Sequence, residues 1–230
     1  MADFGGEVLP EAPEGYTADY LFRKQGFVVE LKSLTVDQTE DMNRKLTPKV
    51  EEWSRRNRQK PPGAVEGDKY IVAIKDMPPE IQDFWLRMLK GPVDTLIRDA
   101  NRQIRDTKER MGLFAARGMV LIANESNLYH NHPDSFRRLV AEILRKRTQS
   151  GDLRYPHVNG AVYFSLKDVK SRDEGMFFWA PLQIKQKPDE DVSPTVAFQR
   201  ELQQAWYSYI ERVCEVRVRQ HAVSSAVEVL

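Results

Sequence analysis

Apolar positions recur along the chain at two spacings, and stretches of one alternate with stretches of the other. Ala18 to Phe22 is a short strand candidate, Arg23 to Gly26 a polar turn ending in glycine, and Phe27 to Leu34 a second strand rich in Val, Leu and Phe. Together they predict a hairpin. Met1 to Thr17 carries Gly5, Gly6, Pro10, Pro13 and Gly15, which argue against a helix there. From Val36 to Arg58, Met42, Leu46, Val50 and Trp53 fall at helical spacing, with Asp37 as a cap and Pro48 as a kink. Lys60 to Gly63 reads as a loop, and Lys69 to Ile74, apolar on both faces, as a central third strand.

Pro78 and Pro79 open a helix containing Ile81, Phe84, Trp85, Met88 and Leu89, which Gly91-Pro92 is expected to end. A further helix then runs from Val93 to Met111, its apolar side formed by Leu96 or Ile97, Ala100, Ile104 and Met111. Met119 to Ala123 predicts a fourth strand and Pro133 to Arg147 an amphipathic helix. Gly160 to Leu166 and Gly175 to Pro181 predict two more strands. Thr195 to Arg219 predicts a long helix whose stripe can pack on this domain or on a second copy, making a homodimer. His221 to Leu230 reads as a loose tail.

Strands with intervening helices imply a mixed sheet covered on both faces, a three-layer α/β/α architecture. The expected organisation is an irregular arm over 1–17, one domain over 18–220 and a tail over 221–230. With 230 residues and 41% hydrophobic content the chain can bury a sizeable core. The formal net charge is +1, so any basic surface has to be local. The single cysteine, Cys214, excludes an intrachain disulfide framework and lies in a helical apolar stripe as a buried structural thiol. No apolar run is long enough to span a bilayer, and the start of the chain lacks the features of a signal peptide. A soluble, cytoplasmic protein is the expectation.

The candidate chemistry sits on the hairpin. Strand alternation puts Val28, Glu30 and Lys32 on one face and Phe27, Val29, Leu31 and Ser33 on the other. A carboxylate and an ammonium on so apolar a strand are costly to desolvate unless they meet each other, a metal or a polar ligand. Asp19, just upstream, can add a second carboxylate beside Glu30. Two carboxylates and a lysine suit a hard divalent cation with a cationic neighbour; the competing reading is a structural ion pair. The pattern Asp/Glu-x-Lys recurs at Asp106-Thr107-Lys108 and Asp168-Val169-Lys170, but only Glu30-Leu31-Lys32 lies in an apolar strand with an acid ahead of it.

Asp19, then ten intervening residues, then Glu30-Leu31-Lys32, resembles the signature of the PD-(D/E)XK nuclease superfamily. The resemblance covers about seventeen residues, Ala18 to Leu34, closely and the rest only in element order. It implies a restriction-endonuclease-like fold and Mg²⁺ or Mn²⁺ held by Asp19, Glu30 and the Leu31 carbonyl. It also implies that Lys32 positions the attacking water, in a metal-dependent nuclease acting on DNA. Many members add a glutamate from an upstream helix; Glu7, Glu11 and Glu14 are available here, but nothing selects one. In parts of the superfamily a helical glutamine lies near the metal, and Gln103 resembles it.

The second side of the Val93 to Met111 helix is locally basic. It reads either as a solvated face with i,i+4 pairs or as the wall of a nucleic-acid groove formed by Asn101, Arg102, Gln103, Arg105 and Lys108. His130, Asn131 and His132 spell HNH, but that motif uses residues far apart in sequence; a polar loop is expected. The alternative to an enzyme is a catalytically inactive protein of this fold serving as a nucleic-acid or protein interaction module.

Overall fold

The hairpin forms where alternation placed it. In a computed structural model, β2 (Tyr20–Phe22) pairs antiparallel with β3 (Phe27–Leu34), with Tyr20 opposite Val29 and Phe22 opposite Phe27. The turn closes through Gly26, whose backbone φ of 72° is left-handed and whose N–H donates to the Phe22 carbonyl at 2.8 Å. The structure describes residues 4–11, 17–35, 39–59, 63–66, 69–72, 77–125, 133–165, 179–215 and 228–229.

Around the hairpin grows a seven-stranded mixed sheet. It joins β1 (Glu7–Val8), β2, β3, β6 (Arg117–Asn124), β7 (Gly160–Ser165), β8 (Trp179–Ile184) and β9 (Glu228–Val229), in that spatial order. The β3, β6 and β7 strands are parallel neighbours, with Glu30 opposite Val120 and Val120 opposite Ala161. The remaining helices are α1 (Thr39–Asn57), α2 (Pro79–Arg110), α3 (Pro133–Leu144) and α4 (Ser193–Cys214). Side-chain alternation along the strands divides the core in two. Val28, Val120 and Ile122 pack against Val93, Ile97 and Ile104 of α2 and Phe136 and Ile143 of α3. Phe27, Val29, Met119 and Leu121 pack on the opposite face against Phe198 and Leu202 of α4. The fold is therefore α/β, with helices on both faces of one mixed sheet.

Several expectations are corrected. The helix does not end at Gly91-Pro92: α2 runs continuously for 32 residues with Pro92 inside it. Proline costs a helix interior about 3 kcal/mol. Here Leu89, Val93, Ile97, Ala100 and Ile104 form one unbroken stripe buried to 5% exposure or less, and their packing outweighs that cost. Lys69 to Ile74 is not a central strand. β5 (Lys69–Val72) instead pairs antiparallel with β4 (Gly63–Glu66) in a separate two-stranded sheet, so Gly63 belongs to a strand rather than a loop. Ala73, Ile74 and Lys60 to Pro62 lie outside the described residues.

At the two ends of the chain, segments read as an irregular arm and a loose tail each add an edge strand. β1 pairs with β2, and Glu228–Val229 pairs in parallel with β8. The α3 and α4 helices are shorter than the periodicity suggests, closing at Leu144 and Cys214, while the expected start of α1, Val36 to Gln38, lies outside the described residues. His130 and His132 lie outside the described residues, as do Glu14 and the Asp168-Val169-Lys170 stretch.

Candidate active site on the β2–β3 hairpin

The site is built where β2 stops short. Its pairing with β3 begins at Tyr20 opposite Val29, so the β3 edge beyond Val29 is left to Asp19. There the Leu31 backbone N–H donates to Asp19 Oδ2 at 2.7 Å, a charge-assisted bond that fixes the carboxylate against the strand edge. A residue's N–H and C=O leave a strand on the same edge, so the Leu31 carbonyl points to the side that Asp19 occupies.

Glu30 and Lys32 project from the α2-facing side of β3. Glu30 is 1% exposed, and its Oε1 lies 2.6 Å from the Lys32 Nζ. Its Oε2 is buried and has no hydrogen-bond partner among the described residues. Burial pushes the Glu30 carboxyl up from the ordinary 4.5 to about 7; the Lys32 hydrogen bond and charge oppose this, as does, more weakly, the Asp19 backbone N–H, and the Asp19 charge adds to it. A buried acid with one oxygen paired and one orphaned is costly in an otherwise apolar layer.

The third element is α2. Lys32 Nζ donates to Gln103 Oε1 at 2.5 Å, and Gln103 Nε2 donates to the Thr17 carbonyl at 3.2 Å. One helical turn on, Thr107 is fully buried and its Oγ1 accepts the Ala18 N–H at 2.8 Å. Arg110 closes the series with a bond to Thr17 Oγ1 at 3.0 Å. The same helix therefore orients the lysine and anchors the chain entering β2. Asp19, Glu30, Lys32 and Gln103 are thereby brought together.

The other residues assigned to a nucleic-acid face behave differently. Asn101 Oδ1 accepts the His157 backbone N–H at 3.0 Å, Arg102 lies 3.5 Å from Asp99, and Arg105 lies 2.8 Å from Asp106. Lys108 is not on a solvated face: at 7% exposure it lines a cavity on the other flank of the helix. Loop residues that no helical projection could have anticipated, His157 and Glu190, enclose it. Thr107 was missed as well, although its spacing from Ile104 and Ala100 continues the sheet-facing row.

The donor set suits a hard cation. Orphaned Glu30 Oε2, the Asp19 carboxylate and the Leu31 carbonyl are oxygen ligands of the type Mg²⁺ takes, usually completed by water. Among the described residues no group of three or more His, Cys, Asp and Glu side chains gathers in one place, so such an ion would be held by two carboxylates rather than three. Compared with protein-family profiles, curated proteins and solved structures, the chain has no significant match. No helix among the described residues is long and apolar enough to cross a membrane.

Proposed function

We propose that Asp19, Glu30 and Lys32 form the centre of a metal-dependent phosphodiesterase acting on DNA, with the restriction-endonuclease-like fold that the hairpin motif implies. The observation that carries this reading is the Glu30 carboxylate: buried, paired through one oxygen with Lys32, and orphaned at the other beside Asp19. An apolar residue would serve stability better there, since buried ion pairs rarely outperform well-packed hydrophobic ones.

In this reading Asp19, Glu30 and the Leu31 carbonyl hold Mg²⁺ or Mn²⁺. The ion supplies Lewis-acid stabilisation of phosphoryl charge and a more acidic water. The Lys32 ammonium, held between Glu30 and Gln103, would orient the attacking water and offset charge developing on the phosphate. Gln103 is a positioning residue, acting through Lys32. Arg102, next to Gln103 on α2, would meet DNA phosphates as an exchangeable partner, now lying 3.5 Å from Asp99, whereas Arg105 lines the cavity on the other flank of the helix.

The second reading, a catalytically inactive interaction module, is favoured by one observation: among the described residues no third acid joins Asp19 and Glu30. Cleavage of linear and supercoiled DNA with Mg²⁺ or Mn²⁺ decides between them. The nuclease reading expects Asp19→Asn, Glu30→Gln and Lys32→Met each to lower cleavage by about 100-fold or more, with secondary structure retained. Wild-type cleavage by all three variants contradicts it.

A further inference from the structure

Lys108 sits on the flank of α2 away from the hairpin, in the last turn, and lines a cavity of about 460 Å³. That volume is in the range of small-ligand sites. The residue is 7% exposed, yet among the described residues its ammonium makes neither hydrogen bond nor ion pair. Burial draws it down from 10.5 to about 8, and the charge of Glu190 opposes this only in part.

Glu190 is not available as a full partner: it lies 3.9 Å from Arg117 Nε, and Arg117 also donates to the Asp191 carbonyl at 3.1 Å. Glu190 Oε1 accepts from Asn159 Nδ2 at 3.2 Å and its Oε2 from the Gln186 backbone N–H at 2.5 Å. Around Lys108 the cavity also presents Arg105, Arg117 and His157, and on the acidic side Glu109 beside Glu190. His157 is held toward its neutral form, chiefly by burial and then by the charges of Lys108 and Arg105.

The wall is rigid. Gly118 and Asn159 exchange two hydrogen bonds of 2.8 Å, and the His157 carbonyl comes so near Gly118 that an added Cβ would lie 1.9 Å from it. At the mouth, Phe114 is 77% exposed, an aromatic ring left in solvent beside a cationic pocket.

A largely buried lysine that lines a cavity together with two guanidinium groups asks for a compact multivalent anion. We propose that this cavity is a second ligand site, separate from the hairpin, which takes a phosphate dianion. Its chemical class is inorganic phosphate or the phosphomonoester of a nucleotide. Lys108 is the principal cation, Arg105 and Arg117 flank it, the His157 imidazole is a neutral donor, and Phe114 offers its ring to a base. The proposal does not depend on the hairpin's activity.

Titration calorimetry in EDTA at pH 7, with inorganic phosphate and with a nucleoside 5′-monophosphate, tests it. Both should bind the wild-type chain. Affinity should fall about 10-fold or more in Lys108→Met and about 3-fold in Arg105→Gln, as expected for loss of one charge-assisted contact. Lys32→Met should bind as wild type does. Tighter binding of the nucleotide that Phe114→Ala abolishes supports a nucleotide as the ligand; equal binding supports a site that reads the phosphate alone. Absence of heat from both ligands at millimolar concentration overturns the proposal. So does undiminished binding in Lys108→Met with a wild-type circular dichroism spectrum. Should that variant fail to fold, undiminished binding in Arg105→Gln has the same force. Loss in Lys32→Met with retention in Lys108→Met would assign the anion to the hairpin and likewise overturn it.

Discussion

Two buried charges lie along one helix, and they are solved in opposite ways. Glu30, facing the Gln103 region of α2, has a lysine at 2.6 Å and an acid close by. Lys108, one to two turns further on, faces a cavity with its ammonium unbonded among the described residues. In the first region Lys32 offsets part of the cost of desolvation and the Asp19 charge adds to it, so Glu30 holds its proton to about 7. In the second the cost is left with one cation and is relieved when an anion arrives. A buried charge is thus informative through the neighbours it lacks as much as through those it has.

Gly118 is the position that joins the two regions and should show the largest effect. It lies opposite Val28 on β3, and an added Cβ would meet the His157 carbonyl at 1.9 Å and Ile104 Cγ2 at 2.8 Å. Gly118→Ala should destabilise by about 3 kcal/mol or more, because backbone rather than a flexible side chain would have to give way. Chemical denaturation checks this, and a change below about 1 kcal/mol would show that the two regions are not braced through this strand.

Glu30→Gln and Lys108→Met separate the regions by pH. Folded Glu30 keeps its proton to about 7 whereas the ordinary value is 4.5. The folded state therefore binds more protons between those values, and stability falls as pH rises through that window. Glu30→Gln should match wild type near pH 4 and exceed it above pH 7, by at most roughly 3 kcal/mol. For Lys108 the folded value is about 8 against 10.5, so the unfolded state binds more protons between them and stability rises with pH there. Lys108→Met should be more stable than wild type at pH 7, again by at most roughly 3 kcal/mol, with the gain vanishing above about pH 10.5. Denaturation profiles across pH that fail to run in opposite directions would break the comparison.

The smallest effect is expected at Gln103. Gln103→Leu removes the acceptor that holds Lys32 Nζ at 2.5 Å and leaves both acids in place. In the nuclease reading kcat should fall about 10-fold with KM little changed, and Gln103→Asn should recover little because its shorter arm cannot reach Lys32. A KM effect alone would make Gln103 a binding residue instead.

The hairpin was legible because its signals are local: period-two alternation, a turn ending in Gly26, and two charges that break an apolar strand. The joining of Gln103 to Lys32 was half legible, since a helical row points to the sheet without saying which strand it meets. The continuity of α2 was not legible, because the local rule at Gly91-Pro92 is overridden by burial of Leu89 and Val93 on either side of it. The β4–β5 pairing was hidden for a related reason: an apolar segment such as Lys69 to Val72 states that it pairs, not with what. Lys108 looked solvated on a helical projection, and only the arrival of His157, Asn159 and Glu190 from distant loops buries it.

The most direct test of the central claim is calorimetric titration of Mn²⁺ into the wild-type chain and into Asp19→Ala and Glu30→Gln. A single site in the wild type, lost in both variants while Lys108→Met binds Mn²⁺ normally, is the predicted result. Absence of binding to the wild type, or binding that survives both substitutions, would contradict it and leave the hairpin as a structural ion pair.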